Sequence, residues 1–120
     1  MNISSSVPKR GDIWLTNFDP TLGAEIKKIR PAVVVSSDGV GKLPIKLIAP
    51  ITDWKEYYAG NIWHIKIEPD ITNNLTKASA VDVLQLRGID VQRLIRKIGD
   101  CSTEVMEEIA AAIAAVVEYF

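Results

Sequence analysis

Through most of the chain, apolar and polar positions alternate in short bursts separated by turn-forming residues. Asp12 to Phe18, rich in Ile, Trp, Leu and Phe, reads as a first strand. Asp19-Pro20-Thr21-Leu22-Gly23 reads as a turn: proline sets φ, aspartate can bond its own backbone, and glycine frees the exit. Pro31 to Ser37 contains Ala32-Val33-Val34-Val35, a β-branched run too short for a stable helix and suited to a buried strand. Ile45 to Thr52 alternates, with Ile45, Leu47, Ala49 and Ile51 on one face, and Pro50 points to an edge or a bulge. Ile62 to Ile67 and Ala80 to Leu86 alternate again, Asp90 to Arg93 reads as a short helical turn, and Leu94 to Ile98 as a last strand. Asp53 to Asn61 is a long connection without periodicity.

The C-terminus changes period. Ser102 is placed as an N-cap, with Glu104 in the first turn, where the helix dipole favours an acid. Val105, Ile109, Ala112, Ile113, Val116, Val117 and Phe120 then recur at helical spacing, and the intervening alanines favour helix. Many short strands without interleaved helices, followed by one amphipathic helix, predict a mainly β, α+β domain built on a partly closed β-barrel. Residues 1–8 are expected to be a flexible leader and residues 9–120 one domain.

Composition narrows the setting. With 48% hydrophobic residues in 120, the chain can fill one core, but a domain of this size gains from a subunit interface. It contains no apolar run long enough to span a bilayer and no signal-peptide stretch, which predicts a cytoplasmic protein without a membrane partner. Cys101 is the single cysteine and His64 the single histidine. An internal disulfide is thereby excluded, no metal-ligand spacing exists, and no cofactor is implied. The net charge of −1 argues against generic duplex binding, but charge is unevenly spread. Lys27, Lys28 and Arg30 gather in one segment, while Glu104, Glu107 and Glu108 gather in the helix.

One ordered set of motifs is more specific than any of these features. Arg10-Gly11-Asp12-Ile13-Trp14, then Asp19-Pro20-Thr21, Gly23 and Glu25, then Arg30-Pro31-Ala32-Val33-Val34-Val35-Ser36 closely resembles the MazF/PemK toxin family of type II toxin–antitoxin systems. The likeness continues through Pro50-Ile51-Thr52, Leu75 to Ser79, Gln85-Leu86-Arg87 and Arg96 to Gly99, and spans roughly residues 9 to 118. It implies a Src-homology-3-like barrel with a C-terminal helix, usually a homodimer. It also implies a metal-independent, sequence-specific endoribonuclease (an mRNA interferase) restrained by a cognate MazE-like antitoxin. The family's chemistry falls on an arginine before the proline of the second strand and a threonine ending the third, which are Arg30 and Thr52 here. Leu84 stands where the family often has an acid, and Ile29 where some members have a histidine; both differences bear on RNA sequence preference.

Single-stranded RNA can be cut without a metal because its own 2′-hydroxyl attacks the adjacent phosphorus, leaving a 2′,3′-cyclic phosphate and a 5′-hydroxyl. Arg30 suits the stabilisation of phosphoryl charge, since its planar fork grips two oxygens, and Thr52 can donate to a phosphate oxygen or relay a proton. Arginine is a poor base at neutral pH, so Glu25 is the alternative general base. Trp14, Phe18 and Trp54 are candidate stacking platforms, with core packing expected for at least one of Trp14 and Phe18. Lys27 and Lys28 suit backbone phosphates, and Asp19, Ser37, Asp53 and Gln85 suit base edges. His64, on an alternating strand, reads as a half-exposed structural residue. Two other readings share the barrel: a CcdB-like toxin that binds DNA gyrase without cutting, and a noncatalytic RNA-binding barrel.

Overall fold

The computed structural model describes residues 7–40 and 43–119. The expected leader therefore lies mostly outside the described residues, as does Phe120. The chain forms seven strands and a C-terminal helix: β1 (Asp12–Asn17), β2 (Ile29–Val34), β3 (Ile45–Asp53), β4 (His64–Ile67), β5 (Ser79–Asp82), β6 (Arg87–Asp90), β7 (Leu94–Asp100) and α1 (Thr103–Val116). The strands run β4-β5-β3-β2-β1-β7, with β6 also paired to β3, and every pairing is antiparallel. β6 and β7, joined by a single 3-10 turn, bridge from the free edge of β3 to the free edge of β1, which curls the sheet into the expected partly closed barrel.

The sheet is buried on both faces. Trp14, Phe18, Ala32, Val34, Ile48, Ile89 and Leu94 fill the inside of the curl. Ile13, Val33, Ala49, Ile51, Ile65 and Val81 pack on the other face against Met106, Ile109 and Ala112 of α1. This two-sided burial is why β2 reads as an unbroken apolar run rather than an alternating one. Helix α1 begins where the sequence places it: the Ser102 hydroxyl accepts from the Val105 N–H at 3.1 Å, a cap worth about 1 kcal/mol.

Three expectations change. Pro50 lies on a central strand, not an edge. β3 pairs with β6 through Ile45–Ile48 and with β5 through Ile51–Asp53, so Ala49 and Pro50 are the two positions on that edge where no ladder partner requires an N–H. The single strand expected over Ala80–Leu86 is divided into β5, a 3-10 turn at Val83–Gln85, and the start of β6, because the Asp82 carboxylate accepts from the Leu84 N–H and turns the chain. The face shared by Ile45, Leu47, Ala49 and Ile51 is buried at its second half only: Ile45 is 47% exposed and Leu47 42%, where α1 no longer covers the sheet. Among the described residues, no helix is long and apolar enough to cross a membrane.

Candidate active site

A cleft of about 670 Å3 opens between the β1–β2 loop and the segment running from β5 into β6. Its walls include Phe18, Glu25 and Ile26 on the loop side, Pro50 at the floor, and Trp63, Asp82, Gln85 and Arg87 opposite. The loop is closed at its base by main-chain geometry. Phe18 N–H donates to Lys28 O at 2.9 Å, the Asp19 carboxylate accepts from Lys28 N–H at 3.0 Å, and Lys28 takes a left-handed conformation, φ 70°, to allow it. Within the loop, Glu25 Oε1 accepts from Leu22 N–H at 2.7 Å.

Two side chains from the opposite wall, Gln85 and Arg87, and Arg93 from the turn between β6 and β7 then hold the ends of this loop by their backbone. Gln85 Oε1 accepts from Ile26 N–H at 2.6 Å. Arg87 donates to Phe18 O at 3.3 Å and lies over the Phe18 ring, 5.8 Å from its centroid. Arg93 donates to Asn17 O at 3.2 Å and Asp19 O at 2.6 Å. None of these contacts engages the side chains of Lys27 or Lys28, and Glu25 keeps one carboxylate oxygen outside its bond to Leu22 N–H.

Asp82 organises the far wall. Its Oδ1 accepts from Leu84 N–H at 3.0 Å; its Oδ2 accepts from Gln85 Nε2 at 3.1 Å and faces His64 Nε2 at 3.7 Å. Asn61 donates to His64 Nδ1 at 3.1 Å, so the ring is neutral with its proton on Nε2, toward Asp82. Burial lowers the His64 pKa, and the Asp82 charge only partly opposes that shift. The His64 side chain is 7% exposed, not half-exposed as the strand alternation suggests, because it is enclosed by Asn61, Tyr58 and Asp82.

By strand parity Arg30 and Thr52 share a face of the sheet with Phe18 and Pro50 of the cleft, but neither Arg30 nor Thr52 lines the cleft itself. Arg30 is opposite Thr16 on β1. On the other side Ala32 is opposite Pro50, so the same register continued by two places brings Arg30 opposite Thr52, just beyond the last paired position. Residues opposite one another point to the same face, and Phe18 and Pro50 on that face line the cleft. Arg30 Nε donates to Lys27 O at 3.3 Å; among the described residues Arg30 forms no ion pair, with Glu25 or otherwise. Its two terminal nitrogens are left for an anion.

The remaining sequence candidates divide. Glu25 and Gln85 line the cleft; Asp19, Lys27 and Lys28 are exposed on the β1–β2 loop and are not among its lining residues. Asp53 and Trp54 follow Thr52, with Asp53 paired to Lys77 at 3.0 Å and the Trp54 indole donating to Glu56 at 2.7 Å. Two candidates are corrected. Trp14 is 5% exposed within the barrel core and its indole N–H is held by Asp12 at 3.1 Å, so it offers no face to a base. Ser37 lies beyond the opposite end of β2 from Arg30, where its hydroxyl accepts from Gly39 N–H at 2.9 Å, and it takes no part in the cleft. Sequence reasoning missed Trp63, Asp82 and Arg87. Asp82 carried one signal, an acid in a run otherwise apolar, and Arg87 stood inside a quoted motif without being assigned a task.

Residues 9–117 match the family model for the PemK-like, MazF-like toxin of type II toxin–antitoxin systems. The chain is 34% identical over 119 residues to the endoribonuclease toxin ChpB of Escherichia coli strain K12, covering 97% of this chain and 99% of that protein. It is 33% identical over 106 residues to the endoribonuclease MazF of Staphylococcus saprophyticus, covering 88% and 87% respectively. Its fold superimposes on a chain of the MazE–MazF crystal structure from Deinococcus radiodurans with a TM-score of 0.73 and 21% identity, over 95% of this chain and 98% of that one.

Proposed function

Because this chain belongs to the PemK-like, MazF-like toxins of type II toxin–antitoxin systems, we propose that it is a metal-independent endoribonuclease that cuts single-stranded RNA by attack of the 2′-hydroxyl on the adjacent phosphorus. The reading is supported above all by Arg30, which forms no ion pair among the described residues and stands on β2 two places beyond its last pair with β3, on the side toward Thr52.

The attacking oxygen belongs to the substrate, so the protein's task is to align the strand, stabilise charge on the phosphoryl oxygens and move protons. Arg30 supplies the charge stabilisation through its terminal nitrogens, and Thr52 a hydroxyl donor to the same phosphate. Glu25, exposed on the loop with one carboxylate oxygen on Leu22 N–H, is the group suited to take the 2′-hydroxyl proton. Lys27 and Lys28 extend positive charge along the loop for neighbouring phosphates. Phe18, 1% exposed beneath Arg87, offers no face to a base, so bases enter the cleft beside Trp63, where the second N–H of the Gln85 amide and the free lone pairs of Asp82 meet their edges.

The partner is a MazE-like antitoxin met in the cytoplasm, a reading supported by the fold shared with a chain of the MazE–MazF structure from Deinococcus radiodurans. An acidic antitoxin segment competes with RNA for Lys27, Lys28 and Arg30. The second partner is another copy of the chain: Ile45 and Leu47, exposed beside Gly88, are an apolar surface a homodimer would cover.

The deciding experiment is digestion of a mixed single-stranded RNA by purified protein in EDTA, with 5′-hydroxyl ends mapped by ligation and sequencing. Cleavage with 5′-hydroxyl ends supports the reading and reports the recognition sequence at once. Intact RNA overturns it and leaves the gyrase-binding reading to be tried by DNA supercoiling.

A further inference from the structure

Of the aromatic groups on the connection between β3 and β4, the cleavage reading gives a task to Trp63 alone. Four of the connection's rings and the His64 ring form one row. Trp54 meets Tyr58 edge-on at 5.8 Å, Tyr58 meets Tyr57 edge-on at 5.0 Å, Tyr58 stacks on His64 at 3.8 Å and 17°, and His64 lies 5.8 Å from Trp63. One end of the row, Trp63, is in the cleft wall; the other, Tyr57, is 77% exposed.

The row is held rigid from below. Glu56–Tyr58 form a 3-10 turn, Trp54 N–H donates to Ala78 O at 3.0 Å, the Trp54 indole donates to Glu56, and the Lys66 ammonium lies 5.1 Å from the centroid of the Trp54 ring. Tyr58 and His64 spend their faces on each other, so the accessible aromatic surface is at Tyr57 and at Trp63. Beside it, Lys55 is exposed and makes no ion pair among the described residues.

We propose that this row is a stacking platform for single-stranded RNA outside the cleft, with an unpaired base on Tyr57 and its phosphate at Lys55. The inference rests on the ribonuclease reading above. A single strand is the occupant favoured by continuity: the row starts at Trp63 inside the nucleotide cleft, so one chain leaving the cleft passes along it. Base-on-ring stacking requires no particular base, so the platform adds affinity and length dependence without adding to the recognition sequence.

The test uses full-length protein and randomised 2′-O-methyl oligonucleotides, whose blocked hydroxyl prevents cutting, at about 4 and about 16 nucleotides, the range of site sizes for single-strand binders. Fluorescence anisotropy should show that Tyr57→Leu weakens the longer probe by about fivefold or more, the effect of one lost stacking contact. The shorter probe should be unaffected, and Tyr57→Phe, which keeps the ring, should bind both as the parent does. On cleavable RNA of the longer length, Tyr57→Leu should raise KM and leave kcat unchanged. If the parent cuts RNA yet binds both lengths equally, or Tyr57→Leu binds the longer probe as the parent does, the platform fails and the ribonuclease reading stands. If the parent neither binds nor cuts single-stranded RNA, both fail.

Discussion

The side-chain carbonyl of Gln85 accepts a hydrogen bond from the backbone N–H of Ile26 at 2.6 Å, joining positions 59 residues apart. It is the contact through which the far wall of the cleft, centred on Asp82, sets the position of the loop that carries Glu25, Lys27 and Lys28. Gln85→Ala removes that acceptor and the N–H donated to Asp82 as well. The expected result is faster amide hydrogen exchange across residues 21–28, a stability loss of about 1–2 kcal/mol, and reduced cleavage. Unchanged exchange in the loop would show that Arg87 and Arg93 hold it alone.

Arg30→Ala should reduce kcat by about 10²–10³-fold, the usual effect of removing one donor to developing phosphoryl or oxyanion charge, with the melting temperature preserved. Arg30→Lys retains charge but not the two-pronged grip and should recover only part of the rate. Thr52→Val should lose less than Arg30→Ala. Full activity in Arg30→Ala, measured on the RNA substrate mapped from the EDTA digest, would remove the residue from the mechanism.

His64 gives stability a pH dependence of defined sign. Its folded pKa lies below the ordinary value of 6.5 because burial disfavours the charged ring. The unfolded chain therefore binds the proton first as pH falls, so the contribution is fully present above pH 6.5 and is lost on descending through the lowered folded pKa. Thermal melts between about pH 5 and 8 should show the protein less stable at the acid end, and His64→Gln should flatten that slope. An equal slope in the variant would assign the effect to other groups.

Gly99 on β7 passes so close to the loop before β5 that a Cβ there would collide with the carbonyl of Asn73, which is backbone and cannot swing aside. Asn73 is itself fixed, accepting from the Asp70 and Leu75 N–H groups and donating to Glu68 O. Gly99→Ala should destabilise by about 3 kcal/mol, the upper part of the range for overpacking, and be visible as a lowered denaturation midpoint in urea.

Cys101, at the junction of β7 and α1, has its thiol pKa pushed up to about 12, by burial first and by the charges of Asp100 and Asp70 second. The thiol remains protonated at neutral pH and should resist iodoacetamide in the folded protein, reacting once urea unfolds it. Rapid alkylation of the native protein, read by intact mass, would contradict this environment.

The parts legible in the sequence were those set by local rules. The valine run of β2, the Ser102 cap and the change to helical period needed nothing beyond neighbouring residues. The barrel followed from strand count and turn spacing. What escaped depends on which neighbour covers a face. Ile45 and Ala49 share a face of β3, yet one is exposed and the other buried, because α1 covers only one end of the sheet. Trp14 and Trp54 are equally good stacking residues by type; only the curl of the sheet seals the first into the core. In the site, Arg30 and Thr52 were found through family resemblance, and the register then gave them a shared face. Asp82 was hidden because its importance lies in a turn and in two partners, Gln85 and His64, on other segments.

Gln85, Arg87 and Arg93 all grasp peptide groups at the two ends of the β1–β2 loop, and the one side chain there that any of them covers is Phe18, beneath Arg87. Peptide groups are alike whatever residue bears them, so these holds are indifferent to the side chains at positions 21–24, whereas Glu25 itself ties the loop through Leu22 N–H. Substitutions at those positions can alter what the protein touches without loosening the strap that carries them, which makes this segment a natural place for specificities to diverge and for randomised libraries to be grafted.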